Sequence, residues 1–214
     1  MVRPRIVGET KRAINELRPP SEGVRPHPWL SDDSLVAYRR AEKSKKPFRL
    51  YLSYVAEEKI REHALSQAPK RLEVMGFMLG DVLSWRKSNY SVVRDVATTE
   101  LRSTASKVRF DPDSFPKLFV GLDGSGFDYV LVGWYHSHPG HTCFMSRTDL
   151  ETQRSMFRED YHSALVVDPI NEDIKAFGLS GDGYEEIQFA VLDQAALNKP
   201  VRKRRLKVEP PVGR

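Results

Sequence analysis

Val132-Gly-Trp-Tyr-His-Ser-His-Pro-Gly-His-Thr-Cys-Phe-Met-Ser-Arg-Thr-Asp149 is the stretch on which the fold turns. Its first part is apolar and ends in His136 and His138, two residues apart. Side chains alternate faces along a strand, so both imidazoles point to the same side. Pro139-Gly140 then stops the strand. Seven residues separate His138 from Ser146, and Ser146 and Asp149 stand three apart at a predicted helix start. Residues at that spacing share a helix face. A strand end and a helix start thus aim two histidines and an aspartate at one point.

The same mixture extends outward. Glu73-Val-Met-Gly-Phe-Met-Leu-Gly80 reads as a buried strand, as do Arg49–Ser53, Tyr129–Tyr135 and Ser163–Val167. Trp85 and Tyr90–Val96 suggest strands on either side of a polar turn. Ala176–Leu179 and Glu185–Val191 read as the final strands. Helices are predicted over Ala56–Ala68, Asp111–Phe119 and Ser146–Glu159. Thr98–Arg109 reads as polar and irregular, and Gly121–Gly126 as a turn cluster. Strands interleaved with helices give an α/β sheet protein.

Residues 48–192 form the expected domain, with extensions 1–47 and 193–214. The first holds six prolines and two possible short helices, Glu9–Arg18 and Ser31–Ser44. It is either peripheral, or docked through Trp29, Leu30, Leu35 and Tyr38. Residues 1–49 carry a net charge of +6 and residues 199–214 another +6, which leaves −7 for the 149 residues between. A nucleic-acid domain would carry its positive patch on the folded unit. Here only the ends are basic, so specific nucleic-acid binding is not expected. The single cysteine, Cys143, allows no intrachain disulfide. No apolar run approaches the roughly 20 residues of a membrane span, and no apolar segment follows the basic N-terminus. The expectation is a cytoplasmic protein with no membrane partner.

Two imidazoles and a carboxylate suit Zn²⁺ and leave a fourth tetrahedral position open, the pattern of a catalytic site. Such chemistry needs a second carboxylate to handle protons, and Glu73 is the candidate. Each part has a plainer reading when taken alone. His-Ser-His can be a polar strand end, Ser146 and Asp149 a helix cap pair, and Glu73 a surface carboxylate beside Lys70 and Arg71. His27, His63, His141 and His162 lack the spacing, and Cys143 reads as packing near the loop.

The string His-x-His-Pro-x6-Ser-x-x-Asp, preceded by Glu-x-Met-Gly, resembles the signature of the JAMM (MPN+) zinc metalloproteases over about residues 48–192. Glu73–Gly80, Val132–Gly140, Cys143, Thr152-Gln153 and Leu165–Pro169 look like the proteasome-lid deubiquitinase subunit and its signalosome relative. The resemblance implies an MPN fold, a cytidine-deaminase-like mixed sheet flanked by helices. It implies zinc on His136, His138 and Asp149, Glu73 as general base and Ser146 as oxyanion donor. The implied reaction is hydrolysis after the C-terminal Gly-Gly of ubiquitin or a ubiquitin-like modifier, with the conjugates as partners and the proteasome as a further candidate. An insertion at Thr98–Arg109, with Thr99, Thr104 and Val108, is implied to line the channel for the modifier tail. A second insertion would fall near Asn171–Gly183, and it is short. Two other readings stand beside this one: a peptidase that trims a sulfur-carrier protein, and a scaffold or nucleic-acid module acting through the basic ends.

Overall fold

A computed structural model of the chain describes residues 14–44, 46–98, 101–104, 107–110, 130–193 and 196. Alternation along its strands decides the layers. Leu50 and Leu52 of β3 (Leu50–Ser53) face one side of the sheet, where α2 (Tyr54–Gln67) lays down Ala56, Ile60 and Ala64. Tyr51, between them, faces the other side and joins Tyr38 of α1 (Asp32–Lys43). β9 (Ser163–Asp168) repeats the pattern. Leu165 and Val167 face α2, while Ala164 and Val166 pack with Met145 and Phe157, which bracket α3 (Arg147–Met156). The result is a mixed sheet with α2 on one face and α1 and α3 on the other.

The remaining strands are β1 (Asn15–Glu16), β2 (Val24–Arg25), β4 (Met75–Trp85), β5 (Ser88–Ala97), β6 (Leu101–Thr104), β7 (Lys107–Phe110), β8 (Val130–Ser137), β10 (Asp173–Ser180), β11 (Gly183–Ile187) and β12 (Phe189–Leu192). The main sheet runs β11-β10-β9-β8-β4-β5-β3-β12-β2, with β1 paired to β4. β8 lies near its centre, antiparallel to β4 and parallel to β9. β6 and β7 form a separate two-stranded sheet.

Local chemistry explains the joints. Ser31 and Ser53 cap α1 and α2 by accepting the N–H groups of Ser34 and Ala56. Arg86 and Lys87 take φ of 50° and 66°, the conformation that closes a two-residue hairpin with the correct twist. A Cβ on Gly80 would strike the Val92 carbonyl, so β4 can cross its bulge beside β5 only with glycine there.

Several expectations need correction. Glu73 lies two residues before β4 rather than within it, and β4 continues to Trp85. The described part of the expected Glu9–Arg18 helix is extended. Asn15 and Glu16 pair with Leu83 and Ser84, and Pro19-Pro20 disfavours helix in the residue before it. Thr98–Arg109 is not irregular throughout, because Leu101–Thr104 and Lys107–Phe110 pair as a hairpin. Glu185–Val191 divides at Gln188, since β11 returns against β10 while β12 crosses to lie beside β3. Asn171–Gly183, where the short second insertion is expected, consists of β10 between two short turns. The helix expected at Asp111–Phe119 and the turn at Gly121–Gly126 lie outside the described residues.

The N-terminal segment docks along the α1 face and the sheet edge. Tyr38 is buried, stacking on Phe48 at 4.9 Å. β2 pairs with β12. His27 is buried, and its Nδ1 accepts the Trp29 N–H at 3.0 Å, so Nε2 carries the proton and donates to Glu57 at 2.9 Å. Trp29 and Leu30 pack against the core as well. No helix of the described residues is long and apolar enough to cross a membrane.

His162 precedes β9 with its ring buried. Glu159 N–H donates to Nδ1 and Nε2 donates to the Leu131 carbonyl, each at 3.2 Å. Burial pushes its pKa from 6.5 down to about 4. The unfolded ring therefore takes up a proton where the folded ring does not, and stability falls as pH drops from 6.5 to about 4. Urea unfolding across this window should show a smaller loss for His162→Gln than for the wild type. Parallel losses in both proteins would remove His162 as a cause.

Candidate metal centre

The site begins with the pairing of β4 and β8. Met75 stands opposite His136. Beyond it, Ser137 N–H donates to the Val74 carbonyl and the Ser137 hydroxyl accepts the Val74 N–H, both at 2.9 Å. Continuing this register sets half-buried Glu73 across from His138, on the side of the sheet that carries the histidines. His136 and His138 are almost wholly buried, with ring centroids 4.8 Å apart. Asp149 Oδ2 lies 3.4 Å from His136 Nε2 and 3.5 Å from His138 Nε2. A ligand atom from each residue falls within 4.8 Å of the other two.

Asp149 is aimed by the start of α3. Ser146 is the N-cap and makes a full capping box with Asp149. Its Oγ accepts the Asp149 N–H at 3.2 Å, and its N–H donates to Asp149 Oδ2 at 2.7 Å. The oxygen fixed by the cap is the one that faces the imidazoles. The cap reading and the ligand reading are therefore one arrangement.

Charge states follow from burial. Complete burial pushes the His136 pKa down, against the pull of Asp149, and keeps the ring neutral. Burial alone would raise Asp149, but His136, His138 and the Ser146 side chain prevail and hold it far below the usual carboxylate range. A neutral His136 imidazole and an ionised Asp149 carboxylate are the protonation states in which these groups bind a divalent metal. The donor set also fits a metal on a second ground. Among the described residues His136 Nε2, which faces Asp149, is buried with no hydrogen-bond partner, a cost that a bound cation would offset.

The structure brings His136, His138, Asp149 and Ser146 together, and the β4–β8 register brings the backbone of Glu73 alongside. Thr99 lies outside the described residues, while Thr104 and Val108 fall on β6 and β7. Buried Cys143 donates to the Val166 carbonyl at 3.3 Å, and burial pushes its thiol pKa upward, which suits packing rather than attack. His63 bonds the Tyr135 hydroxyl at 2.8 Å, and His141 is exposed.

A family model described as JAB1/Mov34/MPN/PAD-1 ubiquitin protease matches residues 49–161. The chain belongs to this family. The 26S proteasome regulatory subunit RPN11 of Eremothecium gossypii is 40% identical over 124 residues, 56% of this chain and 38% of that protein. The COP9 signalosome complex subunit 5 of Debaryomyces hansenii is 32% identical over 166 residues, 72% of this chain and 34% of that protein. A Saccharomyces cerevisiae relative named ubiquitin carboxyl-terminal hydrolase RPN11 is 38% identical over 124 residues. The chain thus aligns with less than two fifths of the length of these relatives. The solution structure of protein DSY2949 from Desulfitobacterium hafniense shares the fold, with a TM-score of 0.50 at 21% identity over 68% of this chain and 94% of that one.

Within this MPN domain, sequence reasoning gave no role to Trp134, Gln153 or Asp168. His136 stacks on Trp134 at 4.4 Å, and the Trp134 indole N–H donates to Gln153 Oε1 at 2.6 Å. Gln153 in turn donates to the Phe157 carbonyl at 2.9 Å. Trp134 lies two residues before His136, and Gln153 lies four after Asp149, so both spacings signalled a shared face. This bond joins the strand that carries the histidines to the helix that carries the aspartate. Gln153→Ala would leave a buried indole N–H unpaired and should cost about 1–3 kcal/mol in chemical denaturation. An unchanged unfolding midpoint would show that the bond contributes nothing.

Proposed function

We propose that this chain is a zinc-dependent isopeptidase that cuts after the C-terminal Gly-Gly of ubiquitin or a ubiquitin-like modifier. The observation that carries the reading is the convergence of His136, His138 and Asp149, with His136 Nε2 buried and partnerless among the described residues, beside the Ser146 cap. Its family membership and a relative named ubiquitin carboxyl-terminal hydrolase supply the substrate class. His136, His138 and Asp149 would hold Zn²⁺ as three protein ligands with one position open. When bound, zinc would supply Lewis acidity to the site.

The rest is work for this chain's own groups. Glu73 takes a proton from the attacking water and returns it to the leaving amine. The Ser146 oxygen accepts a backbone N–H in the cap, and its hydroxyl proton turns to the developing oxyanion when substrate is in place. β6 and β7 pair only with each other among the described residues, which leaves outer strand edges for an extended modifier tail. Thr99, Thr104 and Val108 belong to the segment that would receive it. Modifier conjugates are the partners in this reading, and the proteasome is the candidate assembly because several relatives are named as its subunits. The workplace is cytoplasmic.

The purified protein should hold about one zinc per chain, and removing both histidines (His136→Ala with His138→Ala) should abolish this. Glu73→Gln should keep zinc yet lose roughly 10²–10⁴-fold in rate. Ser146→Ala should cost on the order of 10²-fold in kcat, measured alongside stability because the cap is lost too. Stoichiometric zinc in the double mutant, or near-wild-type turnover in Glu73→Gln, would remove those residues from their roles.

Substrate specificity is checked separately. Replacing the penultimate glycine of the modifier tail with alanine should lower kcat/KM sharply, since only glycine lets a backbone pass so close to a covered surface. Efficient digestion of casein would instead favour a general peptidase.

A further inference from the structure

Asp168 ends β9 and is wholly buried, yet no cation pairs with it among the described residues. Five N–H donors converge on its carboxylate. Gly140 N–H at 2.8 Å, Ile170 N–H at 3.0 Å and Asn171 N–H at 3.2 Å reach Oδ1. Thr142 N–H at 2.8 Å and the Asn171 side-chain amide at 2.7 Å reach Oδ2. Two of these donors lie in the loop that begins at His138, and the other three lie in the turn between β9 and β10. One side chain therefore staples two loops together. A buried carboxylate is a costly way merely to fill space. The four residues before it, Ala164–Val167, are apolar and fill space without one.

The loop needs holding. Gly140 has φ of 81° and Thr142 has φ of 64°. For a β-branched residue this region is unfavourable, and such backbones persist only where the surroundings over-determine them. The His138 ring lies against the rings of His136 and Phe144, each at 4.8 Å. A ligating histidine ordinarily donates its second ring nitrogen to an acceptor, but His138 Nδ1 is buried without a partner among the described residues. Its backbone is gripped instead. Its N–H donates to the Val167 carbonyl at 2.9 Å, and its carbonyl accepts the His141 N–H at 3.1 Å. The end of β9 thus supplies both the carbonyl that anchors His138 and the carboxylate that shapes the loop after it.

We propose that Asp168 is a positioning residue for the metal centre, holding the His138–Thr142 loop in a strained shape that points the His138 ring at the site. This rests on the zinc reading given above. Asp168→Asn keeps the size but turns an amide N–H₂ toward N–H donors whichever way it flips, so the loop must relax. Thr142→Gly removes the backbone strain, so the same loop shape no longer needs the clamp.

The test uses the full chain and reads metal binding directly, by chelator competition for Zn²⁺ and by the visible absorption of the Co²⁺ form. Asp168→Asn should weaken zinc by roughly 10–100-fold and alter the Co²⁺ spectrum, with circular dichroism unchanged. Adding Thr142→Gly to it should recover most of the loss, which a purely structural role for Asp168 would not allow. Asp168→Asn with wild-type affinity and spectrum, or an Asp168→Asn loss that Thr142→Gly leaves untouched, would overturn the proposal. In the wild type, the Gly140 and Thr142 amides should exchange slowly with solvent even without metal. Fast exchange would overturn the proposal whether or not the variants fold. Absence of zinc binding by the wild type is a different failure, which defeats the metal reading itself and the positioning role with it.

Discussion

The antiparallel pairing of β4 with β8 is the constraint on which the rest of the site depends. Met75 opposite His136 and the double bond of Ser137 to Val74 fix where β8 ends relative to β4. A slip of one residue would turn both histidines to the α2 face, because side chains alternate. β8 also lies between β4 and β9, and its residues Val132–Ser137 are buried. That burial keeps His136 neutral, and it leaves His136 Nε2 without a hydrogen-bond partner among the described residues.

Helix α3 meets this strand with its N-terminus, and the meeting is rigid at two levels. The capping box sets Asp149 Oδ2, and one turn on Gln153 ties the helix to Trp134, the platform for His136. A helix start usually satisfies its free N–H groups with an acidic or hydroxyl side chain. Here those groups are spent on the residues that face the histidines, so local helix chemistry and site assembly share the same bonds.

The N-terminal segment shows how far a sheet can recruit chain that looks peripheral. Its prolines exclude long elements, but they leave room for short strands beside β4 and β12 and for α1. Buried His27 and Tyr38 make this docking part of the core rather than an ornament on it. His27 in particular seemed a bystander by spacing, and its acceptor lies thirty residues away on α2.

Periodicity and local chemistry determined a good deal by themselves. Two-residue spacing placed His136 and His138 on one face, and three-residue spacing with a serine cap placed Ser146 and Asp149 on another. The apolar runs located β4, β8 and β9. These features are legible because they depend only on bonds between near neighbours in the chain. Tertiary structure decided what depends on distant pairing. It split Glu185–Val191 between two strands, made a hairpin within Thr98–Arg109, moved Glu73 just outside β4 and turned the end of the expected N-terminal helix into a strand. It alone gave Asp168 the Gly140 and Thr142 donors, which lie 28 and 26 residues back in the chain. A buried carboxylate at a strand end carries no sequence signal of such distant partners, because they are backbone N–H groups that every residue except proline possesses.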